Sequence, residues 1–261
     1  MIKNASAING YAISASDGNI GTVCDVLFDD SDWLVRWIVV DTGNWLSGRK
    51  VLLPTMVLDH LDPGKEEFAT RLTMQEVKDS PSIDTDRPVS RQQESSVYDY
   101  YGWRPYWGSG VYMGGYGYMG GYGVMGDPME APAPLGSWRR EEQAMFQRTD
   151  GDPHLRSIQA VTGYHIHATD GEIGHVNDFL VNEADWTIRY VVVDTTNWWA
   201  GKKVLISPRS VKDIDWGAGL MNLNVNRQAI QNSPLYDAAT IVDRTYERNF
   251  HAYYRNDRPT D

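Results

Sequence analysis

Three histidines stand close together in the second half of the chain: His165, His167 and His175. His165 and His167 alternate, so on a strand they share one face. His175 follows across an Asp170-Gly171 turn, which brings it toward the same place. Three imidazoles form a zinc ligand set of the kind a metal-dependent hydrolase uses. The competing reading is three surface histidines on a hairpin. An earlier stretch of the same chain supports it, because it repeats the pattern with Ala12, Ser14 and Thr22 at those positions. On that reasoning no metal, no other cofactor and no catalytic residue is expected.

The remaining reactive side chains read the same way. Asp17, Asp25 and Asp41 have counterparts in Asp170, Asp178 and Asp194. Paired carboxylates do acid–base work only when held close with separated pKa values. Here Asp17 and Asp170 precede glycine in turns, and Asp41 and Asp194 end apolar runs, where a carboxylate accepts N–H bonds of the next turn. Arg36 and Arg189 stand inside apolar runs and need acceptors nearby, since an unpaired buried charge is costly. Cys24 is the one cysteine and faces Asn177 in the copy, so it reads as a small core side chain. Gly117 to Gly123 lacks the GK[ST] and βαβ context of a phosphate loop. The turn aromatics Trp45, Trp198 and Trp199 are the candidate interaction residues, because loop aromatics anchor interfaces. Capping a small core is their other use.

All these residues belong to one duplicated unit. Residues 32–53 read DWLVRWIVVDTGNWLSGRKVLL, and residues 185–206 read DWTIRYVVVDTTNWWAGKKVLI. With Gly10 set against Gly163 the two halves stay in register without a gap out to Tyr101 and Tyr254. The period is a domain length, so the chain carries a tandem duplication. Residues 1–101 and 154–261 are read as the two domains, each with a helical extension. Residues 102–153 are read as a low-complexity linker rich in Gly, Tyr, Met and Pro, semi-extended where proline recurs.

Within a copy, residues 10–15 and 19–28 flank an Asp-Gly hairpin signal. Gly21 marks a bend. Residues 33–40, apolar on both faces, predict a central covered strand. Residues 49–53, 57–61 and 67–73 predict further strands, and Thr73-Met74-Gln75-Glu76 has capping-box spacing. Ser90 and Asp243 are N-cap candidates for the extensions. Five or six short strands with one or two short helices imply a mainly β fold: two small barrels or curled sheets, each closing its own edges.

The chain has 261 residues and a net charge of −11, with most of the acidity before Tyr101. That balance opposes nucleic-acid binding, which rests on Lys and Arg. The N-terminus lacks a secretory signal and no apolar run reaches membrane-spanning length, so a cytoplasmic protein is expected.

The order GYxIxAxDGxIGxVxDFLxxxxDWxIRYxVVDTxNWxxGKKVLISP, nearly intact from Gly163 to Pro208 and altered from Gly10 to Pro54, resembles the PRC-barrel domain of bacterial proteins. Residues 88–107 resemble the usual extension after that barrel. The family includes the cytoplasmic domain of the photosynthetic reaction-centre H subunit and the C-terminal domain of the ribosome maturation factors. The resemblance implies β-barrels that dock on proteins without enzymatic activity. The leading expectation is therefore an adaptor whose two tethered barrels bind a protein partner, with avidity when both engage. Peripheral membrane association and homo-oligomers are compatible with it. The alternative is an accessory of a photosynthetic or other electron-transfer membrane complex. A ribosome- or RNA-associated factor and a metal-dependent hydrolase are the remaining readings.

Overall fold

The computed structural model describes residues 2–59, 65–81, 89, 91–103, 106, 154–195, 202–233, 235–237, 246, 248, 250 and 252. Ser90, Asp243 and linker residues 107–153 lie outside that set. The chain divides into two compact units, one drawn from residues 1–84 and 154–261, the other from residues 85–153.

The first unit holds both copies. The first copy contributes β1 (Ile2–Asn4), β2 (Ala12–Ala15), β3 (Gly18–Asp29), β4 (Leu34–Asp41), β5 (Lys50–Pro54), β6 (Glu67–Ala69) and helix α1 (Met74–Asp79). The second contributes β7 (Leu155–Ser157), helix α3 (Ile158–Val161), β8 (His165–Ala168), β9 (Gly171–Asn182), β10 (Thr187–Asp194), β11 (Lys203–Ile206), β12 (Val211–Asp215), β13 (Leu220–Leu223), helix α4 (Arg227–Gln231) and β14 (Leu235–Tyr236). In the other unit α2 (Arg91–Tyr101) is the described helix, and Tyr106 donates a hydrogen bond to its Glu94.

The hairpins form where turn chemistry placed them. Ala15 pairs with Gly18, and Ala168 with Gly171, across two-residue turns. Gly21 and Gly174 sit at φ 152° and 142°, and a Cβ on either would lie 2.0 Å from the carbonyl oxygen of Asp41 or Asp194. Only glycine lets β3 and β9 bend that close to the end of the next strand. Thr73 caps α1 with both halves of a capping box. Residues 57–59 depart from the strand expected over residues 57–61, of which 60 and 61 lie outside the described set. In the first copy they begin with a 3-10 turn, Thr55–Val57, and a lone bridge from Leu58 to Thr70. The second copy builds the full β12–β13 hairpin there.

The expectation that each half closes its own sheet is corrected. Fourteen strands join one sheet, with the path β12-β13-β8-β9-β10-β4-β3-β2-β6 open at both ends. The copies meet at the starts of β4 and β10. Val35 N–H donates to Trp186 O at 2.9 Å, and Ile188 N–H donates to Trp33 O at 2.8 Å. These are equivalent positions, so the join has a pseudo-two-fold axis. Trp33 and Trp186 hold left-handed backbone, φ 60° and 56°, which is costly for a bulky residue.

The copies also exchange their leading strands. β1 pairs with β9 of the second copy, and β7 pairs with β3 of the first. The registers are equivalent: Asn4 opposite Leu180, Ser157 opposite Leu27. Each three-residue strand covers an edge of the other copy that would otherwise expose unpaired backbone. An apolar core spans both copies. It runs from Ile13, Ile38 and Leu53 of the first copy to Ile166, Val191 and Ile206 of the second. Among the described residues no helix is long and apolar enough to cross a membrane.

Deleting residues 2–8 should therefore loosen the second copy first. Amide hydrogen exchange should accelerate at residues 180–182, whose edge β1 covers, ahead of residues 27–29, which β7 still covers. Faster exchange at residues 27–29 alone would contradict the exchange.

Candidate functional site

The β9–β10 turn carries Trp186 into the first copy. Its ring lies 5.6 Å from that of Phe68, centroid to centroid. Opposite it, the 3-10 turn after β5 presents Met56, which is 64 % exposed. Between them lies a cleft of about 220 Å³, walled by Met56, Leu58, Phe68 and Trp186, with the carboxylates of Asp59 and Glu183 at its polar side. Glu183 is held 3.0 Å from Lys3 Nζ. Asp59 is exposed, and its carboxylate has no partner among the described residues. Thr55 Oγ1 donates to Val35 O at 3.3 Å, which occupies the one hydroxyl in the lining.

The histidines do not assemble. His165 lies opposite His175 and His167 opposite Glu172. His165 Nδ1 instead lies 2.9 Å from Glu172 Oε1, with both side chains exposed. Among the described residues, the one group of three ligand-type atoms within 4.8 Å is Asp29, Asp30 and His154. Structural contacts account for that group. Asp29 accepts from Ser31 N and Oγ and lies 3.6 Å from Arg36. Asp30 Oδ2 accepts from Arg156 Nε at 3.3 Å. This pair and Lys3–Glu183 occupy equivalent places, so both are ties between copies.

Trp45 is half-buried. It packs on the shared core and donates its indole N–H to Ile20 O at 2.5 Å. It caps its own copy. Trp198 and Trp199 lie outside the described residues. Arg36 pairs with Asp32 as well as Asp29, and Arg189 with Asp185 at 2.5 Å, so each guanidinium is served within its copy. Cys24 is half-buried, and burial pushes its thiol up, away from the thiolate form.

The paired acids serve as staples. Asp17 accepts from Met74 N–H and Asp170 from Arg227 N–H, each at 2.8 Å, fixing the first residues of α1 and α4. Asp41 accepts from Gly43 N–H at 2.8 Å. Asp25 and Asp178 reach across the seam. Asp178 accepts from Ser6 N and Ser6 Oγ, at 3.1 and 2.5 Å. Asp25 accepts from Ser157 Oγ at 2.5 Å and Gln159 N at 3.4 Å. Each thereby holds the leading segment of the other copy.

Sequence reasoning did not single out Met56, Asp59, Phe68, Glu183 or Trp186. A signal was present in the register of the copies: Met56 stands opposite Arg209 and Asp59 opposite Lys212. A duplicated core position keeps its chemistry, whereas these two change character completely.

The PRC-barrel domain family matches the chain twice, over residues 3–68 and 162–227. The two matches cover just over half of the sequence, and the chain belongs to that family. Comparison with curated proteins gives no match.

Burial is the largest influence on the Asp25 carboxyl and pushes it up, against the Ser157, Val26 and Gln159 hydrogen bonds that pull it down. The folded chain thus holds this proton more tightly than the unfolded chain. The stabilising contribution is full below the ordinary value of 3.8 and is lost as pH rises through the folded value. Thermal melts of the protein and of Asp25→Asn across about pH 3 to 7 should show the unsubstituted chain losing ground as pH rises. A gain with rising pH would contradict the assignment.

Proposed function

We propose that this tandem PRC-barrel protein is a non-enzymatic, cytoplasmic adaptor that binds protein through the cleft at the seam between its copies. The observation that supports this reading best is the cleft in which exposed Met56 and half-buried Leu58 and Trp186 stand over the buried Phe68, with Asp59 and Glu183 also in the lining. Isolated exposed apolar residues are ordinary, but a concave group of this kind marks a contact surface. The cleft is smaller than the roughly 300 Å³ at which small-molecule pockets begin, and it suits one inserted side chain.

The reactive groups support recognition over chemistry. Asp17, Asp25, Asp41, Asp170 and Asp178 are engaged with backbone and serine donors. The Cys24 thiol is shifted away from reactivity. Among the described residues no nucleophile–base pair lines the cleft. On this reading the docking face is built by both copies, in place of two tethered barrels that bind independently.

Affinity capture from the native cell with the full chain and with Met56→Lys tests this. Met56 is exposed, so the substitution should leave the melting temperature nearly unchanged. A charge placed on the apolar wall should reduce capture of the bound partner by roughly tenfold. Equal capture by a folded Met56→Lys protein would remove the cleft as the docking face.

A further inference from the structure

The two copies are pseudo-symmetric, but the faces flanking their seam are opposite in character. Beside the cleft stand Met56 and Asp59, at the start of the segment that follows β5. The equivalent places after β11 carry Arg209 and Lys212. Both cations are exposed. The Arg209 guanidinium has no partner among the described residues. Lys212 is 71 % exposed on its side chain and only 3.7 Å from Asp213. The unpaired Asp59 carboxylate thus has Lys212 at its pseudo-equivalent place, and the apolar Met56 has the unpaired Arg209 guanidinium at its own.

We propose that the protein self-associates head to tail, the Arg209 side chain of one molecule entering the Met56–Phe68–Trp186 cleft of the next to meet Asp59. The inference rests on the adaptor reading of that cleft and names a second copy of this chain as its occupant. A guanidinium suits the slot: its stem packs on Met56 and Leu58, its plane lies against Trp186, and its donors reach the carboxylate. Lys212 adds a second cation at the rim. Within one molecule no ion pair links Arg209 to Asp59, so the cleft is not filled by its own Arg209. The contact uses two different patches and does not close after two molecules, so it propagates into short chains. The net charge of −11 opposes growth by general repulsion, which moderate salt screens over about 8–10 Å while the close contact survives.

Sedimentation velocity of the full chain in moderate salt, from about 1 µM to about 1 mM, gives the test. The unsubstituted protein should pass from monomer through a ladder of oligomers. Asp59→Lys and Arg209→Glu, both exposed changes that should leave melting unaltered, should each weaken association by roughly tenfold or more. An equimolar mixture of the two should regain association that neither shows alone, because one supplies an intact Arg209 face, the other an intact cleft, and the two reversed charges attract each other. A protein that stays monomeric throughout, or variants that associate as well as the parent, would overturn the proposal. If that happens while Met56→Lys still loses its captured partner, the self-association falls and the adaptor reading stands. If capture is also unaffected, both fall.

Discussion

Two reciprocal hydrogen bonds, Val35 N–H to Trp186 O and Ile188 N–H to Trp33 O, set the architecture. They join β4 to β10 and turn two small sheets into one. Both tryptophans stand in left-handed backbone to make this join, a conformation that surrounding structure must hold in place. The holding elements are the exchanged strands β1 and β7 and the carboxylates of Asp25 and Asp178 that fasten them. A domain of this size buries a modest core by itself. Sharing one core across the seam is how both copies gain more.

The seam also explains where the proposed docking cleft arises. Within each copy the carboxylates of Asp17, Asp25, Asp41, Asp170 and Asp178 serve in caps, turns and ties. At the seam, side chains from distant parts of the chain come together, and there Met56 and Asp59 differ in character from their counterparts Arg209 and Lys212. Core positions such as Val40 and Val193, or Leu53 and Ile206, keep their character because the shared core demands it. Met56 and Asp59 face solvent, where no packing constraint preserves the match with Arg209 and Lys212.

Features of the fold that depend on short-range chemistry were legible in the sequence. The Asp-Gly hairpins, the bend at Gly21, the capping box at Thr73 and the Arg36 pairing each rest on residues a few positions apart or on local sterics. The duplication and its family resemblance were legible because the register runs without a gap. The exchange of leading strands was not. Residues 2–4 and 155–157 are too short to show a strand period, and their partners lie in the opposite copy. The cleft was hidden for the same reason, since Phe68 and Trp186 are neighbours only after the seam forms. The hairpin of His165, His167 and His175 was legible as well, but the Glu172 that His165 meets was not, because it depends on the register across the bulge.

The central claim is that the two copies fold as one cooperative body. Met221→Ala, a cavity in the second copy expected to cost about 2–5 kcal/mol, probes it when residue-resolved amide exchange is read in the first copy. The account predicts that the slowest amides of β4 and β5 lose the same protection as those of β9 and β10. Protection in β4 and β5 that stays at its original level, while β9 and β10 lose theirs, would contradict it.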